Sequence, residues 1–308
     1  MGLLMTTRSG FATGERIIGR RAETRMPRIL FLASTTALAH NDNHERLPAA
    51  FRAAGWDVTV RDHDEVYISG GRVFAGAGTT VEDFNRVWVL GLGRAATFLD
   101  RMQLLERLPQ SALVTPIHAL VYQHAKYAWS HYMPETHGGL DADVLAACAD
   151  DGDWVVKPTA GSFGRGVVRV RGREAARAAL QEATGKGTRY ALLQRYVPAI
   201  EAGETRSLIA GATVIGTYLR LPGRDFRTNL SQEGRPEPAT LDPKQRALLA
   251  RIHEELQIAG IGFAAVDLAG DQLMEVNLAN PGGLGTLQQV YGRSFDAAVV
   301  EALAPPTQ

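Results

Sequence analysis

The apolar positions of this chain change their period several times after residue 26. Ile29 to Ala33 is a continuous apolar run, His44 to Ala54 repeats its apolar positions at helical spacing, and Val58 to Arg61 and Val87 to Leu90 are again short and strand-like. Ala95 to Leu108 returns to the helical period. Strands alternating with helices in this way predict a parallel sheet with crossover helices, a small α/β unit. Further on, the pattern predicts a helical segment around Lys126 and Trp129, a helix from Arg173 to Ala183, strands at Tyr190 to Gln194 and Thr205 to Ile209, and a helix from Pro243 to Leu256. No internal repeat interrupts this order.

Two stretches stand out because polar residues occupy fixed places in an apolar pattern. Trp154-Val155-Val156 ends on Lys157, a loop with glycines at 161, 164 and 166 follows, and Val167 to Val170 alternates like a strand. Glycines so closely spaced let backbone N–H groups converge on a phosphate. A P-loop would need Gly-Lys-Ser/Thr running into a helix, so the pattern predicts a glycine flap between two strands, with an ordinary hairpin as the bland alternative. The second stretch, Phe263 to Asn277, reads as two apolar strands joined by a Gly-Asp turn. Glu275 and Asn277 share a face of their strand and Asp267 stands across from them, an oxygen set suited to Mg²⁺; a surface hairpin with paired charges is the alternative.

Composition narrows the partners. The chain has 308 residues, with 33 Lys plus Arg against 33 Asp plus Glu, so no net field favours nucleic acid or an anionic membrane. No apolar run of about 18 residues is present to span a bilayer. The single cysteine, Cys148, cannot form an internal disulfide; it predicts a reducing, cytoplasmic setting, and its neighbours place it on the buried side of a helix. Residues 1–25 are rich in Arg, Gly and Thr and are expected to be a disordered extension, with Met26 just before the first strand as an alternative start and a transit peptide as the competing reading. Gly91-Leu92-Gly93-Arg94-Ala95-Ala96 matches a dinucleotide fingerprint in letters, but it follows a later strand and lacks the acidic partner about 20 residues on, so it is read as a substrate-side loop. His40 and His44 lack a third metal ligand and read as a polar helix start.

In order along the chain, several motifs together resemble the ATP-grasp superfamily, in the branch of bacterial glutathione synthetase and the related RimK-type carboxylate–amine ligases. They are Val156-Lys157-Pro158 with Gly161-Ser162-Phe163-Gly164-Arg165-Gly166, Gln194-Arg195-Tyr196-Val197-Pro198 with Gly203-Glu204-Thr205-Arg206, Tyr218 to Pro222, Phe226 to Leu230, and Glu275-Val276-Asn277 through Gly283. The resemblance covers about residues 111–290 well and the N-terminal part weakly. It implies an α/β fold of α+β lobes, with a pre-ATP-grasp unit over 26–115, a lid lobe over 116–193 and a C-terminal lobe over 194–308.

The resemblance also implies roles. Lys126 and Lys157 would meet the α/β-phosphates of ATP, and the flap residues Gly161, Ser162, Phe163, Gly164 and Gly166 would cover the β/γ-phosphates. Gln194, Tyr196 and Val197 would frame adenine, with Glu204 on the ribose. Asp267, Glu275 and Asn277 would hold Mg²⁺ or Mn²⁺. Arg206 and Arg220 would stabilise the transferring phosphoryl group, with Asn229 and Arg227 bordering the pocket. The implied reaction joins a small carboxylate to an amine through an acylphosphate and releases ADP and phosphate; the implied assembly is a homo-oligomer. Two departures point away from glutathione itself. Gly91 to Phe98 replaces the family's proline-rich substrate loop, and Asn280-Pro281-Gly282-Gly283-Leu284-Gly285-Thr286 replaces its Ser/Thr-Pro sequence. A ligase with another substrate pair is therefore expected, with Arg94, His40, Asn41 and Asp42 as substrate contacts. The alternatives are a ligase that extends a protein or carrier-bound peptide and a non-catalytic ATP-binding module.

Overall fold

The computed structural model describes residues 26–34, 41–159, 164–223 and 234–304. It opens with a βαβ unit: β1 (Arg28–Ala33), α1 (Asn43–Ala53) and β2 (Asp57–Arg61). A hairpin of β3 (Val66–Ser69) and β4 (Arg72–Ala75) precedes β5 (Arg86–Leu90), α2 (Phe98–Leu105) and α3 (Ile117–Tyr122). The sheet order is β2-β1-β5, and both pairings are parallel, as the alternating periods predict. A 3-10 turn spans Lys126–Tyr132, where the periodicity predicts a helical segment.

Next come β6 (Thr136–Gly139), α4 (Ala142–Ala147), β7 (Asp153–Pro158), β8 (Val168–Arg171), α5 (Gly172–Ala183) and β9 (Ala191–Arg195). They form a four-stranded antiparallel sheet ordered β6-β9-β7-β8 with α4 and α5 against it. The strands β7 and β8 pair from Asp153↔Arg171 to Val156↔Val168, so the glycine loop is indeed the connection of two strands. Cys148 corrects one expectation. It is exposed, because the buried face of the short α4 is made by Leu145, Ala146 and Ala149, and Cys148 falls four residues after the solvent-facing Val144.

The remaining elements are β10 (Glu204–Ala210), β11 (Thr213–Leu221), β12 (Arg235–Pro238), α6 (Pro243–Ile258), β13 (Phe263–Ala269), β14 (Gln272–Asn277), α7 (Leu284–Tyr291) and α8 (Asp296–Leu303). Their sheet is antiparallel, in the order β12-β11-β10-β13-β14. The helix α6 starts with Pro243 behind a capping box, in which Asp242 accepts from the Lys244 and Gln245 N–H groups and the Gln245 side chain returns to Asp242.

The cores show how the pieces are joined. Ile29, Phe31, Phe51 and Trp88 of the N-terminal unit pack with Leu208, Phe263, Leu284, Leu287 and Val299 of the C-terminal one. Trp88 lies 5.5 Å from Phe31 and 5.3 Å from Phe263, centroid to centroid, so one aromatic stack crosses the boundary. Trp154, Leu180 and Leu193 belong to a separate core confined to the sheet of β6 to β9 and its helices. A small cluster of Val155, Tyr196, Val197, Ile200 and Ala269 links that sheet to the β13 side.

Candidate functional site

The strands β7, β9, β10, β11, β13 and β14 bring Lys157, Gln194, Glu204, Arg206, Arg220, Asp267 and Glu275 close to one another. Lys157 stands next to the last residue of β7 and is 6% exposed. It stands diagonally from Gln194 on β9, whose register partner on β7 is Val155. Lys157 Nζ donates to Gln194 Oε1 at 2.7 Å, and Gln194 Nε2 donates to Thr136 Oγ1 at 2.8 Å. Burial, followed by the charge of Lys126, pulls the Lys157 ammonium down to about 8. Lys126 is held by its chain as well as its charge. Its N–H donates to the carbonyl of Thr159 at the base of the glycine loop, and its Nζ donates to Glu275 Oε1 at 2.5 Å. In that loop Gly164 and Gly166 take φ of +65° and +70°, a region open to glycine at little cost. Gly161, Ser162 and Phe163 lie outside the described residues.

After β9 the chain crosses between the two sheets at Tyr196 and Val197. The Tyr196 ring lies under the Arg169 guanidinium at 3.7 Å, and its hydroxyl donates to Glu201 at 2.7 Å. Burial, with the Glu201 contact, pushes that phenol up to about 12. Its polar end is thus committed to Glu201 and its ring to the joining cluster. Val197 contributes an apolar wall beside Val155 and Ile200.

The charged centre is built across four neighbouring strands. Arg206 on β10 pairs in register with Asp267 on β13, which pairs with Glu275 on β14. Arg206 Nε donates to Asp267 Oδ1 at 2.7 Å and its Nη2 to Oδ2 at 2.6 Å, a bidentate fork. Arg220 on β11 lies 2.8 Å from the same Oδ2 and donates to Glu204 Oε2 at 2.5 Å. Two guanidinium groups and two carboxylates therefore share a buried site. Burial alone would raise the carboxyl of Asp267, which is 1% exposed, but the charges and hydrogen bonds of Arg206 and Arg220 hold it below the usual range. Asp267 keeps Arg206 charged in turn, against its own desolvation.

For a divalent cation the donor set is short. Glu275 faces the cleft beside Lys126, and Asn277 follows two positions on, with a buried Nδ2 that has no hydrogen-bond partner among the described residues. Both Asp267 oxygens already accept from arginine. No group of three His, Cys, Asp or Glu side chains suited to a metal occurs among the described residues. Two or three oxygen donors fit Mg²⁺ that arrives with phosphate, since Mg²⁺ takes few protein ligands and completes its octahedron from phosphate and water.

The N-terminal unit meets this centre along one loop. The carbonyls of Ala279, Asn280, Pro281 and Gly282 accept from the Gly91 N–H, Asn41 Nδ2, Asn43 Nδ2 and Arg206 Nη1, at 2.8, 3.0, 2.9 and 3.1 Å. Asn41 thus touches the loop, whereas Asp42 turns to Arg46 at 2.8 Å. Arg94, 75% exposed along its side chain, pairs with Asp64. His40, Arg227 and Asn229 lie outside the described residues. The sequence pattern gave no separate role to Asn43 or Thr136, or to His124, whose buried Nδ1 has no partner among the described residues; the imidazole is held below its usual range by burial and the charge of Lys126. Their contacts depend on pairings across long stretches of chain, which local period does not register.

Comparison with known proteins gives this arrangement a lineage. The family model for the prokaryotic glutathione synthetase ATP-grasp domain matches residues 124–292. The glutathione synthetase of Prochlorococcus marinus subsp. pastoris (strain CCMP1986 / NIES-2087 / MED4) is 28% identical over 178 residues, 57% of this chain and 58% of that protein. The chain spans a little over half the length of such curated relatives. Among solved structures, the D-cycloserine synthetase DcsG superposes with a TM-score of 0.64 at 20% identity, over 90% of this chain and 100% of that one. The RimK domain ATP-grasp protein from Sphaerobacter thermophilus DSM 20745 superposes with a TM-score of 0.62 at 22% identity, over 89% and 98%. Those two likenesses are of fold. With more than half its length matched, from the segment before Lys126 to the loop and helix after Asn277, the chain belongs to the prokaryotic glutathione synthetase ATP-grasp family.

Proposed function

We propose that the protein is an ATP- and Mg²⁺-dependent carboxylate–amine ligase, related to glutathione synthetase but acting on a different acid and amine. The observation that carries this reading is the Lys126–Glu275 pair, 2.5 Å apart between the glycine loop and the Asp267 strand. A magnesium-bound nucleotide offers a partner to each side of that pair, phosphate oxygens to the lysine and a cation to the carboxylate, so binding exchanges one ion pair for two.

In this reading Lys126 and Lys157 neutralise α/β-phosphate oxygens, while Gly164 and Gly166, with Gly161, Ser162 and Phe163, close over the β/γ-phosphates. Val197 and the backbone at Tyr196 line the adenine pocket, and Gln194 sets the Lys157 ammonium at its edge. Glu204 serves the ribose and also anchors Arg220. Glu275 and Asn277, with Asp267 beside them, would hold Mg²⁺, which would supply neutralisation of phosphate charge. A substrate carboxylate oxygen attacks the γ-phosphorus and ADP leaves. Arg206 and Arg220, with Asn229, hold the equatorial oxygens during transfer. The amine then attacks the acyl carbon of the acylphosphate, and phosphate departs as the amine loses a proton. Closure of the glycine loop keeps water from the acylphosphate. Residues 26–115, 116–193 and 194–308 would act as substrate unit, lid lobe and C-terminal lobe.

Incubation with ATP, Mg²⁺, a panel of carboxylic acids and hydroxylamine tests the reading. ADP together with a trapped hydroxamate is expected, and Glu275→Ala is expected to lower the rate by about a hundredfold or more. Release of AMP would sink the proposal, and full activity of Glu275→Ala would sink the metal assignment. Absence of ADP with every small acid would overturn the small-molecule reading in favour of a protein or peptide acceptor.

A further inference from the structure

Asn43 is 1% exposed although it is an uncharged polar residue at the start of a helix. Its burial has a specific counterpart. Asn43 Nδ2 donates to Asn280 Oδ1 and to the Pro281 carbonyl, both at 2.9 Å. A carbonyl oxygen can only accept, so the amide orientation is fixed by its partner. The Asn43 N–H donates to Asn41 Oδ1 at 3.1 Å, and Asn41 Nδ2 donates to the Asn280 carbonyl at 3.0 Å. Two asparagines at the entry of α1 thus grip both carbonyls and the side-chain oxygen of Asn280-Pro281.

The next carbonyl belongs to the charged centre. Gly282 O accepts from Arg206 Nη1 at 3.1 Å, while the other two donating nitrogens of Arg206 are held by Asp267. The guanidinium is therefore fixed along its Nε–Nη2 edge by a strand neighbour and at Nη1 by a loop whose position is set from the N-terminal unit. At Gly283 the loop leaves with φ of +138°, and an added Cβ would lie 2.9 Å from the Tyr218 hydroxyl, so the backbone has little room to settle elsewhere.

We propose that Asn43 is a positioning residue: it sets the Asn280–Gly283 loop and, through the Gly282 carbonyl, the direction in which Arg206 presents its guanidinium to a transferring phosphoryl group. The inference rests on the ligase reading of the cleft. Asn43 itself touches neither nucleotide nor acid. Its removal leaves the lysines, the glycine loop and the adenine wall as they are, but lets the loop shift by a fraction of an ångström. Displacements of that size are costly only where charge develops in the transition state.

The test compares two ligand states of the full-length protein with Mg²⁺ present: ADP alone, and ADP with aluminium fluoride as the mimic of the transferring group. For Asn43→Ala, ADP affinity is expected to stay within about twofold, while affinity for the ADP–aluminium fluoride state falls about tenfold or more. Arg206→Lys should show the same selective loss, and the double variant should lose little further, because both act on one interaction. Asn41→Ala, at a less buried position, should give a smaller loss of the same kind and covers the case in which Asn43→Ala does not fold. If Asn43→Ala weakens both ligand states equally, lowers only the melting temperature, or adds fully to Arg206→Lys, the residue is a structural link and the proposal fails. If the wild-type protein does not bind ADP and Mg²⁺, the ligase reading itself fails, and this inference with it.

Discussion

Lys157 is a charged group in a place poorly suited to charge, and nucleotide should change that. In the described cleft burial and Lys126 bring its ammonium down to about 8, so near pH 8 a large fraction of the molecules carry it neutral. Phosphate oxygens beside it favour the charged form and raise its pKa, so ATP binding at pH 8 should take up protons. Calorimetric titration in two buffers of different ionisation enthalpy measures this directly. The apparent binding enthalpies should differ for the wild type and converge for Lys157→Arg, whose guanidinium stays charged throughout; equal enthalpies for the wild type would contradict the assignment. Much of this site was legible in the chain because its residues come in short ordered blocks: Lys157 ahead of the glycines, and Glu275 two positions before Asn277. What stayed illegible was partnership. Asn43 bonds to Asn280 across 237 positions, and the engagement of both Asp267 oxygens by Arg206 and Arg220 depends on the order of three strands, which no local pattern encodes.

At the scale of elements, the pattern read best where an apolar run ends at a chemically marked turn. The strands β13 and β14 followed from two apolar runs around a Gly-Asp turn, and β7 and β8 from an apolar run and an alternating run on either side of the glycines. The hairpin β3–β4 turns at Gly70-Gly71, but its strands are four residues each and partly exposed, and it is not among the expectations; the strand β6 had no such signal. Thr136-His137-Gly138-Gly139 is extended because β9 pairs with it, with Thr136 opposite Gln194, and pairing of that kind overrides a weak intrinsic preference. A different constraint governs the start of β10. Gly203 takes φ of +111°, and an added Cβ would lie 2.8 Å from Leu219 Cδ1 and 3.1 Å from the Arg220 carbonyl. Gly203→Ala should therefore cost roughly 1–3 kcal/mol of stability, read from the urea midpoint. Because Glu204 follows directly and pairs in register with Arg220, the same change should also weaken nucleotide binding. A variant as stable as the wild type would show that this turn carries no strain.

Over the whole molecule, the cores join two of the sheets and leave a third apart. The N-terminal parallel sheet shares its interior with β10, β13, α7 and α8, whereas the sheet of β6 to β9 keeps its own. Trp88→Ala and Trp154→Ala should each cost about 3–5 kcal/mol as large core truncations. Hydrogen exchange should separate them: the first variant loosens amides in both β1 and β13, the second only those of β6 to β9, α4 and α5. Loosening of β1 by Trp154→Ala would overturn this division. The small cluster at Val155, Val197 and Ala269 that joins the two parts has a further consequence for how such a chain could be rebuilt. A chimera that exchanges the β6 to β9 segment for that of a relative has to reconcile only a few seam side chains, while one that exchanges the N-terminal unit has to recut an aromatic interior and three successive loop carbonyls. The sheet of β6 to β9 is thus the portable part of this architecture, and the N-terminal unit is the part grown into its frame.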